Sequence, residues 1–524
     1  MVARTVDELL LPAARDFADR PALTAGAASL SYAEVLEGVR STAAGLARLG
    51  LRRGERVAVF LDKRVETVLA FLGTSRAGGV FVPVNPVLKP HQVAYILRDC
   101  AVRVLVTTPE RWVGIAGELR DCPSVTTLVL VGGTDQEPVP DAPEQVVGWE
   151  ALTCGADAPS PGPAPVDTDV AAIFYTSGST GMPKGVVLSH RNIVVGAESV
   201  SEYLHNTEDD VILAALPFSF DAGFSQLTTA FSRGAHLVLV NYLFPADVVR
   251  LCARYRVTGL TCVPPLWIQL ASAAWPAEAR ASLRYFANTG GRLPKTTMGR
   301  LRELFPSADP YLMYGLTEAF RSTYLDPSQV DARPDSIGKA IPNAEIIVAR
   351  PDGTVCDDDE PGELVHRGPL VSLGYWNDPE RTAARFRPAP GAPAELPLTE
   401  LAVWSGDSVV RDSEGFLYFV GRQDEMIKTS GYRVSPTEVE EAAYDTGLVR
   451  DVVAIGVPDE ALGQRIVVVA VRARSDVTDA DVVAGLRQRL PLFMVPREVV
   501  LLEDLPRSPN GKFDRVAIRA EVSA

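Results

Sequence analysis

The segment YTSGSTGMPKG, residues 175–185, decides which fold this sequence encodes. It follows the apolar run VAAIF and combines three glycines with serine and threonine hydroxyls and one lysine, Lys184. Glycine has no Cβ, so the backbone N–H groups of such a loop can approach an anion closely. The pattern predicts an anion-binding loop that leaves a β-strand.

This loop differs from the Walker A phosphate loop, G-x-x-x-x-G-K-[ST]. The lysine falls at the correct place, but Pro183 stands before it and Gly185 stands where Ser or Thr is required. The proline removes a backbone donor, and the glycine removes a Mg²⁺ ligand. Two interpretations remain: a clamp in which hydroxyls and Lys184 bind a triphosphate, or an ordinary flexible surface loop.

The sequence on both sides of the loop alternates between helical and strand-like patterns. Residues 30–108 and 208–312 predict parallel sheets with helices on both faces. Residues 337–420 predict short strands, with hairpins at the PDG and SEG turns. After Gly421, SPTEVEEAAYDT and TDADVVAGLRQRL predict helices, and DVVAIGVPD and RIVVVAVRA predict strands. This last part is long enough to form a domain of its own.

Composition excludes several classes of protein. The 524 residues are 47% apolar and 22% charged, which is typical of a globular chain with more than one domain. A net charge of −15 argues against nucleic acid as a partner. Six cysteines without C-x-x-C spacing indicate reduced thiols. We find neither a signal peptide nor an apolar run long enough to span a membrane, so we expect a cytoplasmic protein without a membrane partner.

Four further motifs accompany the loop, in this order: YLMYGLTEAF, WSGDSVV, VGRQDEMIKTSGYR and RSPNGKFDR. With the loop, they resemble the adenylate-forming superfamily of acyl-CoA ligases, peptide-synthetase adenylation domains and luciferases. The resemblance covers essentially the whole chain. It implies an α/β fold: a large N-terminal domain of doubly wound sheets plus a small barrel-like β part over residues 1–423, and a small mobile α+β C-terminal domain over residues 424–524.

The resemblance also implies a reaction. Enzymes of this family join a carboxylate to the α-phosphate of ATP, release pyrophosphate and then transfer the acyl group to a thiol, with Mg²⁺ as the metal. Two anions meet in the first step, so catalysis consists largely of positioning and charge neutralisation. By the resemblance, the loop binds the β- and γ-phosphates through Thr176, Ser177, Thr180 and Lys184.

The remaining nucleotide contacts are also implied by the resemblance. Tyr314 is expected to lie against adenine, whose flat face suits an aromatic ring. Asp407 is expected to accept both ribose hydroxyls, and Arg422 to pair with ribose or phosphate. Taken alone, Asp407 in SGD is an ordinary turn residue.

Three residues are expected to act in catalysis. By the resemblance, Thr317 bonds the α-phosphate, Glu318 holds Mg²⁺ through a hard oxygen ligand, and Lys512 in PNGK stabilises charge in the transition state. The alternative for Glu318 is an acid at a helix N-terminus. The alternative for Lys512 is a solvated lysine on a surface turn.

The family also reuses one site for two reactions. By the resemblance, Asp424 is the hinge about which the small domain turns, which removes Lys512 and brings in a thiol-binding face. In that second arrangement, Lys428 and Gly431 of KTSGYR are expected to line the pantetheine path.

The substrate pocket is indicated by LPFSFDAGFSQL. Many fatty and aryl acid ligases have a histidine in the corresponding segment, whereas this chain has Phe220 and Asp221. This pair resembles the Phe-Asp of amino-acid-activating domains, in which the aspartate binds the substrate ammonium. A carboxylate in an apolar pocket requires such a partner. The alternative is that Asp221 caps the following helix.

Three more residues complete the predicted pocket. Gly290 and Gly291 of NTGGRLP occupy the place of the family's glycine-rich pocket strand. Arg321 either binds a second carboxylate of the substrate or forms a structural ion pair, and we favour the structural role. Together with Asp221, these residues resemble stand-alone enzymes that activate an α- or β-amino acid for natural-product assembly.

The acceptor and the competing functions follow from these assignments. Only nine residues follow Arg515, so we expect the thiol to come from a discrete acyl-carrier protein or from CoA. The main alternative is an acyl-CoA ligase for a fatty, aryl or hydroxy acid. A luciferase-like oxygenase and a non-catalytic nucleotide-binding module are remote alternatives, since Glu318 and Lys512 are both present.

Overall fold

The structure is a computed structural model, and it describes residues 3–132, 141–155, 164–176, 182–393, 395, 397–422, 426–506 and 513–523. The predicted site residues Ser177, Thr180, Asp424 and Lys512 lie outside these ranges. The proposed domain boundary at residues 423 and 424 lies outside them as well.

The described helices and strands follow in chain order. The helices are α1 (Leu11–Asp16), α2 (Tyr32–Arg48), α3 (Val65–Arg76), α4 (Pro90–Asp99), α5 (Pro109–Ile115), α6 (Trp149–Thr153), α7 (His190–Tyr203), α8 (Asp221–Arg233), α9 (Pro245–Tyr255), α10 (Pro264–Ala271), α11 (Ala277–Ser282), α12 (Lys295–Leu304), α13 (Pro379–Arg385), α14 (Pro436–Tyr444), α15 (Asp479–Arg489) and α16 (Arg515–Ser523). The strands are β1 (Pro21–Ala25), β2 (Ala28–Ser31), β3 (Arg56–Phe60), β4 (Val80–Pro83), β5 (Val104–Thr107), β6 (Thr127–Leu130), β7 (Gln145–Gly148), β8 (Val170–Thr176), β9 (Lys184–Ser189), β10 (Val211–Ala214), β11 (His236–Leu239), β12 (Gly259–Cys262), β13 (Tyr285–Asn288), β14 (Asp309–Tyr314), β15 (Thr323–Leu325), β16 (Ser336–Ala340), β17 (Glu345–Ala349), β18 (Gly362–Arg367), β19 (Phe386–Pro388), β20 (Leu401–Arg411), β21 (Leu417–Arg422), β22 (Ile427–Thr429), β23 (Tyr432–Val434), β24 (Val449–Asp459), β25 (Gly463–Arg472) and β26 (Glu498–Leu502).

The first sheet has the order β7-β6-β5-β3-β4-β8-β9 and is parallel except for the β8–β9 pair. Side chains alternate across it. Val57 and Val59 pack with α2 and α3, whereas Ala58 and Phe60 pack with α4 and α5. Both faces of β3 are therefore buried, as expected of a parallel sheet with helices on both sides. The predicted doubly wound arrangement is confirmed.

The second sheet has a parallel core, β1, β11, β10, β12, β13 and β14, which continues through antiparallel strands β15, β16, β21, β20, β18 and β17. These antiparallel strands form the predicted smaller β part. The SEG turn joins β20 to β21, as predicted for a hairpin.

Four phenylalanines pack against one another between the two sheets. Phe224 of α8 lies 5.2 Å from Phe81 of β4, 5.5 Å from Phe174 of β8 and 5.8 Å from Phe71 of α3, measured between ring centroids. All four rings are fully buried. Tilted and edge-to-face pairs of this kind add to the burial of apolar area. Helix α8 is thereby held between the sheets, with its N-terminus directed to the site described below.

The C-terminal unit is α+β, as predicted. Strands β24 and β25 form an antiparallel pair, and β26 joins β25 in parallel. Ser435 accepts a hydrogen bond from the Glu438 backbone N–H at 3.4 Å and starts α14, and Thr478 caps α15 in the same way through Asp481 at 3.2 Å. The Ser435 cap agrees with the pattern SPTEVEE, which predicted that a helix starts there.

Candidate active site

The β8–β9 hairpin carries the glycine-rich loop between its strands. Thr176 and Lys184 are directly opposed across the hairpin, so the strand register brings together two predicted phosphate contacts from the two ends of the loop. The Thr176 hydroxyl is buried and has no hydrogen-bond partner among the described residues. A buried hydroxyl without a partner is uncommon and fits an acceptor supplied by a ligand.

Lys184 pairs with Glu318. The lysine Nζ lies 2.8 Å from Glu318 Oε1 and donates to the Tyr375 hydroxyl at 2.7 Å, while that hydroxyl donates to Glu318 Oε1 at 2.6 Å. The Glu318 side chain is 1% exposed. The Lys184 ammonium also lies 4.2 Å from the Tyr375 ring centroid, within cation–π range.

The turn that presents Glu318 depends on close packing. Glu318 lies in a 3₁₀ turn, Thr317–Ala319, that follows β14, and the next residue, Phe320, has a φ of 56°. This left-handed conformation is unfavourable for a bulky residue. The fully buried Phe320 ring rests on Gly196 of α7, where an added Cβ would lie 2.3 Å from the ring. Packing of the ring therefore maintains a strained turn between Glu318 and Arg321.

Positive charge exceeds negative charge around Glu318. Burial opposes ionisation, but the charges of Lys184, Arg385 and Arg433 hold the Glu318 pKa well below its usual range. Three cations thus act on one carboxylate in the described part of the chain. This excess fits a polyphosphate and disfavours the alternative of Glu318 as a simple helix N-terminal acid.

Tyr375, Arg385 and Arg433 are absent from the predicted site. They come from the segment beside β9, from the end of α13 and from β23, respectively. Neither Tyr375 nor Arg385 lies in one of the family motifs, so no local pattern identifies them. Arg433 does lie in the KTSGYR motif, and its position there was the one available signal.

Tyr314 and Asp407 are in contact, as two residues of one nucleotide site should be. The Tyr314 hydroxyl donates to Asp407 Oδ2 at 2.5 Å, and Asp407 is 2% exposed. Asp407 lies inside β20 and is paired in register with Arg422 of β21. The alternative that Asp407 is a turn residue is therefore wrong. Tyr314 of β14 thus contacts Asp407 of β20 through its side chain, and Arg422 of β21 lies opposite Asp407 in the strand register.

Asp221 is the first residue of α8 rather than its cap. The N-cap position belongs to Phe220 and has no side-chain capping bond. The Asp221 carboxylate instead accepts a hydrogen bond from the Thr317 hydroxyl at 3.2 Å and lies 3.9 Å from Arg321 Nη1. Burial raises the pKa of Asp221, against the opposing effects of Arg321 and Thr317. The helix-cap interpretation is therefore corrected.

The position of Asp221 is set by Gly223. A Cβ at Gly223 would lie 1.9 Å from the Pro217 carbonyl oxygen, so only glycine permits this approach of helix and preceding turn. Together with the Phe224 packing, this contact holds Asp221 beside Thr317.

A small cavity lies behind Asp221. It is lined by α7, α8, strands of the second sheet and Arg321, and its volume of about 10 Å³ is room for about one water molecule. Arg321 is 3% exposed and donates to the Thr289 hydroxyl at 3.3 Å. The structure thus brings the predicted substrate residues Asp221 and Arg321 into one ion pair.

Gly290 and Gly291 follow β13 and do not belong to a strand, which corrects the predicted pocket strand. Gly290 has a φ of 77° and lies near Gly431, the residue predicted for the thiol path. Gly431 lies against Val263. The neighbouring Tyr432 packs edge-on against Phe220, with 4.9 Å between ring centroids. The β22–β23 turn of the C-terminal unit therefore covers the predicted pocket.

Lys428 lies on β22, and its ammonium is 5.9 Å from the Phe419 ring centroid. Its role in the pantetheine path stays a prediction. Among the described residues, no cluster of three or more His, Cys, Asp and Glu side chains suits a metal ion. Mg²⁺ commonly takes one protein carboxylate and completes its shell with phosphate oxygens and water, so a single carboxylate such as Glu318 is enough to hold it.

No helix in the described ranges is long and apolar enough to cross a membrane.

Comparisons with known proteins agree with this geometry. Residues 11–376 match the AMP-binding enzyme family, and residues 438–512 match the AMP-binding enzyme C-terminal domain. The L-proline–[L-prolyl-carrier protein] ligase of Streptomyces coelicolor is 33% identical over 98% of this chain and 96% of that protein. The 3-hydroxybenzoate–CoA ligase of Aromatoleum sp. is 30% identical over 98% of this chain and 95% of that protein.

Solved structures show the same architecture. A double mutant of the o-succinylbenzoate CoA synthetase of Bacillus subtilis, bound to the product analogue OSB-NCoA, superposes with a TM-score of 0.81 at 25% identity and covers 97% of both chains. The match to the family spans most of the chain, and contacts join Lys184 to Glu318 and Tyr314 to Asp407. The chain therefore belongs to the AMP-binding enzyme family, the adenylate-forming superfamily of AMP-forming acid–thiol ligases.

Proposed function

We propose that this enzyme adenylates an α- or β-amino acid with ATP and Mg²⁺ and then transfers the aminoacyl group to the phosphopantetheine thiol of a separate acyl-carrier protein. The observation that supports an amino acid is Asp221. Its carboxylate is 15% exposed, forms no helix cap and lies beside Thr317 in the predicted pocket. Burial raises its pKa, so a substrate ammonium at this position would stabilise the ionised form.

In the first half-reaction, bound ATP supplies an activated α-phosphate and pyrophosphate as the leaving group. Lys184 and the other cations around Glu318 neutralise the phosphate charge, and Glu318 would hold Mg²⁺, which would supply further positive charge to the phosphates. Thr317 donates its hydroxyl to the reacting phosphate, which requires it to exchange its present partner, Asp221 Oδ1 at 3.2 Å. Tyr314 and Asp407 orient the nucleoside. These roles are electrostatic and positional.

The second half-reaction requires a path for the thiol. Gly431, Val263 and Gly290 lie together where the C-terminal unit meets the pocket. The absence of side chains at both glycines lets the C-terminal unit pack directly against Val263, and we place the pantetheine path along this contact. The carrier-protein ligase relative supports a carrier as the acceptor, and the CoA-ligase relative supports CoA.

The second candidate is an acyl-CoA ligase for an acid without an amino group. The 3.9 Å contact with Arg321 favours it, because Asp221 then has a counter-charge without any substrate.

The deciding experiment is substrate-dependent exchange of pyrophosphate into ATP, with amino acids paired with their des-amino counterparts. We expect exchange with an amino acid and not with its partner. Asp221→Asn should lower that exchange about 100-fold, the scale expected for loss of one member of a buried charge pair. Exchange with des-amino acids by wild-type protein would contradict the proposal and support the acyl-CoA ligase.

The acceptor is tested separately, by comparing thioester formation on CoA and on phosphopantetheinylated carrier proteins. Faster transfer to CoA than to any carrier would overturn the second half of the proposal. A matched control for Asp221 is Asp210→Asn, which breaks a buried pair with Arg284, 2.7 Å long, outside the site. It should lower stability without changing substrate preference.

A further inference from the structure

Arg321 has an unsatisfied donor. The side chain is 3% exposed, its Nη1 donates to Thr289 Oγ1 at 3.3 Å, and its Nε is buried without a hydrogen-bond partner among the described residues. A purely structural arginine at such depth normally satisfies its N–H groups, because an unmet buried donor is costly. The free Nε indicates that an acceptor belongs beside it.

A second unsatisfied group lines the same cavity. Thr229 of α8 is 2% exposed, and its hydroxyl also lacks a partner within the described ranges. A carboxylate accepts hydrogen bonds from a guanidinium and a hydroxyl at once. The space beside them, about 10 Å³, holds about one water molecule, so a carboxylate enters it when the lining side chains move apart.

Charge balance points to the same ligand. Asp221 and Arg321 neutralise each other at 3.9 Å. If a substrate ammonium binds Asp221, the arginine shares its counter-charge with that ammonium. A second carboxylate on the substrate restores the balance, so that each buried charge keeps an opposite partner. An amino acid with one carboxylate leaves the positive charge of Arg321 only partly balanced by Asp221. A dicarboxylic acid without an amine brings a second negative charge close to Asp221.

We infer, on the basis of the proposed function, that the substrate is a short amino dicarboxylic acid. Its ammonium binds Asp221, and its second carboxylate binds Arg321, with Thr229 as a further donor. Its reacting carboxylate lies toward Thr317. Arg321 is thus a substrate-binding residue that determines specificity, rather than only a structural partner of Asp221.

The test uses pyrophosphate exchange on wild-type protein with four kinds of acid on one carbon skeleton. Aspartate carries the amine and two carboxylates, aminobutyrate carries the amine and one carboxylate, succinate carries two carboxylates only, and butyrate carries one. Both 2- and 3-aminobutyrate are used, because aspartate presents its amine α to one carboxylate and β to the other. The five-carbon set based on glutamate is measured in parallel.

We expect an amino dicarboxylic acid of one of these sets to exceed its three partners in kcat/KM by about 100-fold or more, because each partner leaves a buried polar group unpaired. Exchange with an aminobutyrate in preference to aspartate would overturn the role of Arg321 and leave amino acid activation standing. Preference for succinate would overturn the ammonium site and the proposed function. Failure of aspartate and glutamate alike would overturn the inference.

A substitution of Arg321 tests whether this residue causes the preference for the diacid. Arg321→Gln should lose exchange with the preferred diacid by about 100-fold or more, and the diacid should no longer raise the protein's Tm in the absence of ATP. Arg284→Gln, which breaks the buried pair with Asp210, should retain both responses. Unchanged diacid exchange in Arg321→Gln would overturn the inference. If that variant does not fold, the wild-type panel and the wild-type Tm shift decide.

Discussion

Lys184 and Glu318 form an ion pair 2.8 Å long across 134 residues of sequence. One member ends the glycine-rich loop and the other follows β14, in a different sheet. The pair therefore joins the two sheets at the predicted phosphate site. Both side chains are largely buried, their exposed fractions being 12% and 1%, so removing one member leaves the other as a buried charge without its partner.

Removing one member of this pair should lower the free energy of unfolding, and removing both members should lower it by less than the two single losses together. Glu318→Gln leaves Lys184 as a buried charge without its carboxylate, so we expect a loss of about 3–5 kcal/mol in the free energy of unfolding. The double variant Lys184→Met/Glu318→Gln should lose less than the sum of the two single variants. Urea unfolding measures all three.

The control for this cycle is an exposed pair. Lys295 and Asp335 lie 2.9 Å apart with side chains 57% and 48% exposed. Lys295→Met should change stability by less than about 1 kcal/mol. Strict additivity of the Lys184 and Glu318 effects would show that the two residues are not energetically coupled.

Lys512→Ala should separate the two half-reactions. If Lys512 stabilises the adenylation transition state, its loss should lower pyrophosphate exchange by about two to three orders of magnitude. Thiolation of preformed acyl-adenylate should remain, because the C-terminal domain then presents a different face. Rapid-quench measurement of each step checks this expectation. Equal losses in both steps would count against the use of two arrangements.

Gly431→Ala should impair thiolation more than adenylation. Gly431 has a φ of 81°, and an added Cβ would lie 2.8 Å from a Val263 methyl carbon. The substitution thus combines backbone strain with a clash between the C-terminal unit and the pocket. The rate of acyl transfer to thiol, measured from isolated acyl-adenylate, is expected to fall.

Two variants distinguish the clash from the strain. Gly447 has a φ of 66° with no atom within 4 Å of an added Cβ, so Gly447→Ala introduces strain alone and should leave acyl transfer unchanged. Val263→Ala combined with Gly431→Ala removes the two methyl contacts at 2.8 and 3.1 Å, leaves the Val263 Cβ at 3.0 Å, and should restore part of the rate. No restoration would argue that the contact with Val263 is unimportant for transfer.

Glu438 should make the contact between α14 and α4 sensitive to pH. Burial raises the Glu438 pKa to about 7, against the hydrogen bond from Gln92. Gln92 Nε2 donates to Glu438 Oε1 at 2.9 Å, while Oε2 is buried without a partner in the described part of the chain. The structure therefore favours the protonated acid.

The sign follows from this raised pKa. The stabilising contribution is complete below the ordinary glutamate pKa and is lost as pH rises through about 7, by at most about 1.4 kcal/mol per pH unit. Glu438→Gln, which resembles the protonated acid, should gain stability relative to wild type between pH 6 and pH 8, measured as Tm. The exposed Glu460→Gln should follow wild type. Parallel curves for Glu438→Gln and wild type would contradict the prediction.

The sequence by itself determined the alternation of strands and helices, the helix caps and the nucleotide motifs. These are local signals, because strand burial follows from runs of apolar residues and caps follow from one hydroxyl and the helix it begins. Thr176, Lys184, Tyr314, Thr317, Glu318 and Asp407 lie in these motifs, and the structure pairs Thr176 with Lys184, Lys184 with Glu318 and Tyr314 with Asp407. The resemblance to a family supplied their roles, which no residue pattern contains.

Only the tertiary structure decided the partners of these residues. Tyr375 joins Lys184 and Glu318 because its segment pairs with β9, a contact that spans 191 residues. Asp221 was ambiguous in sequence because a cap and a first helical residue differ by one position. The close approach of Gly223 to Pro217 and the packing of Phe224 settle that position and leave the carboxylate to Thr317 and Arg321. Long-range packing of this kind determines which charged side chains come into contact. The sequence close to each residue does not contain this information, because the partners are far apart along the chain.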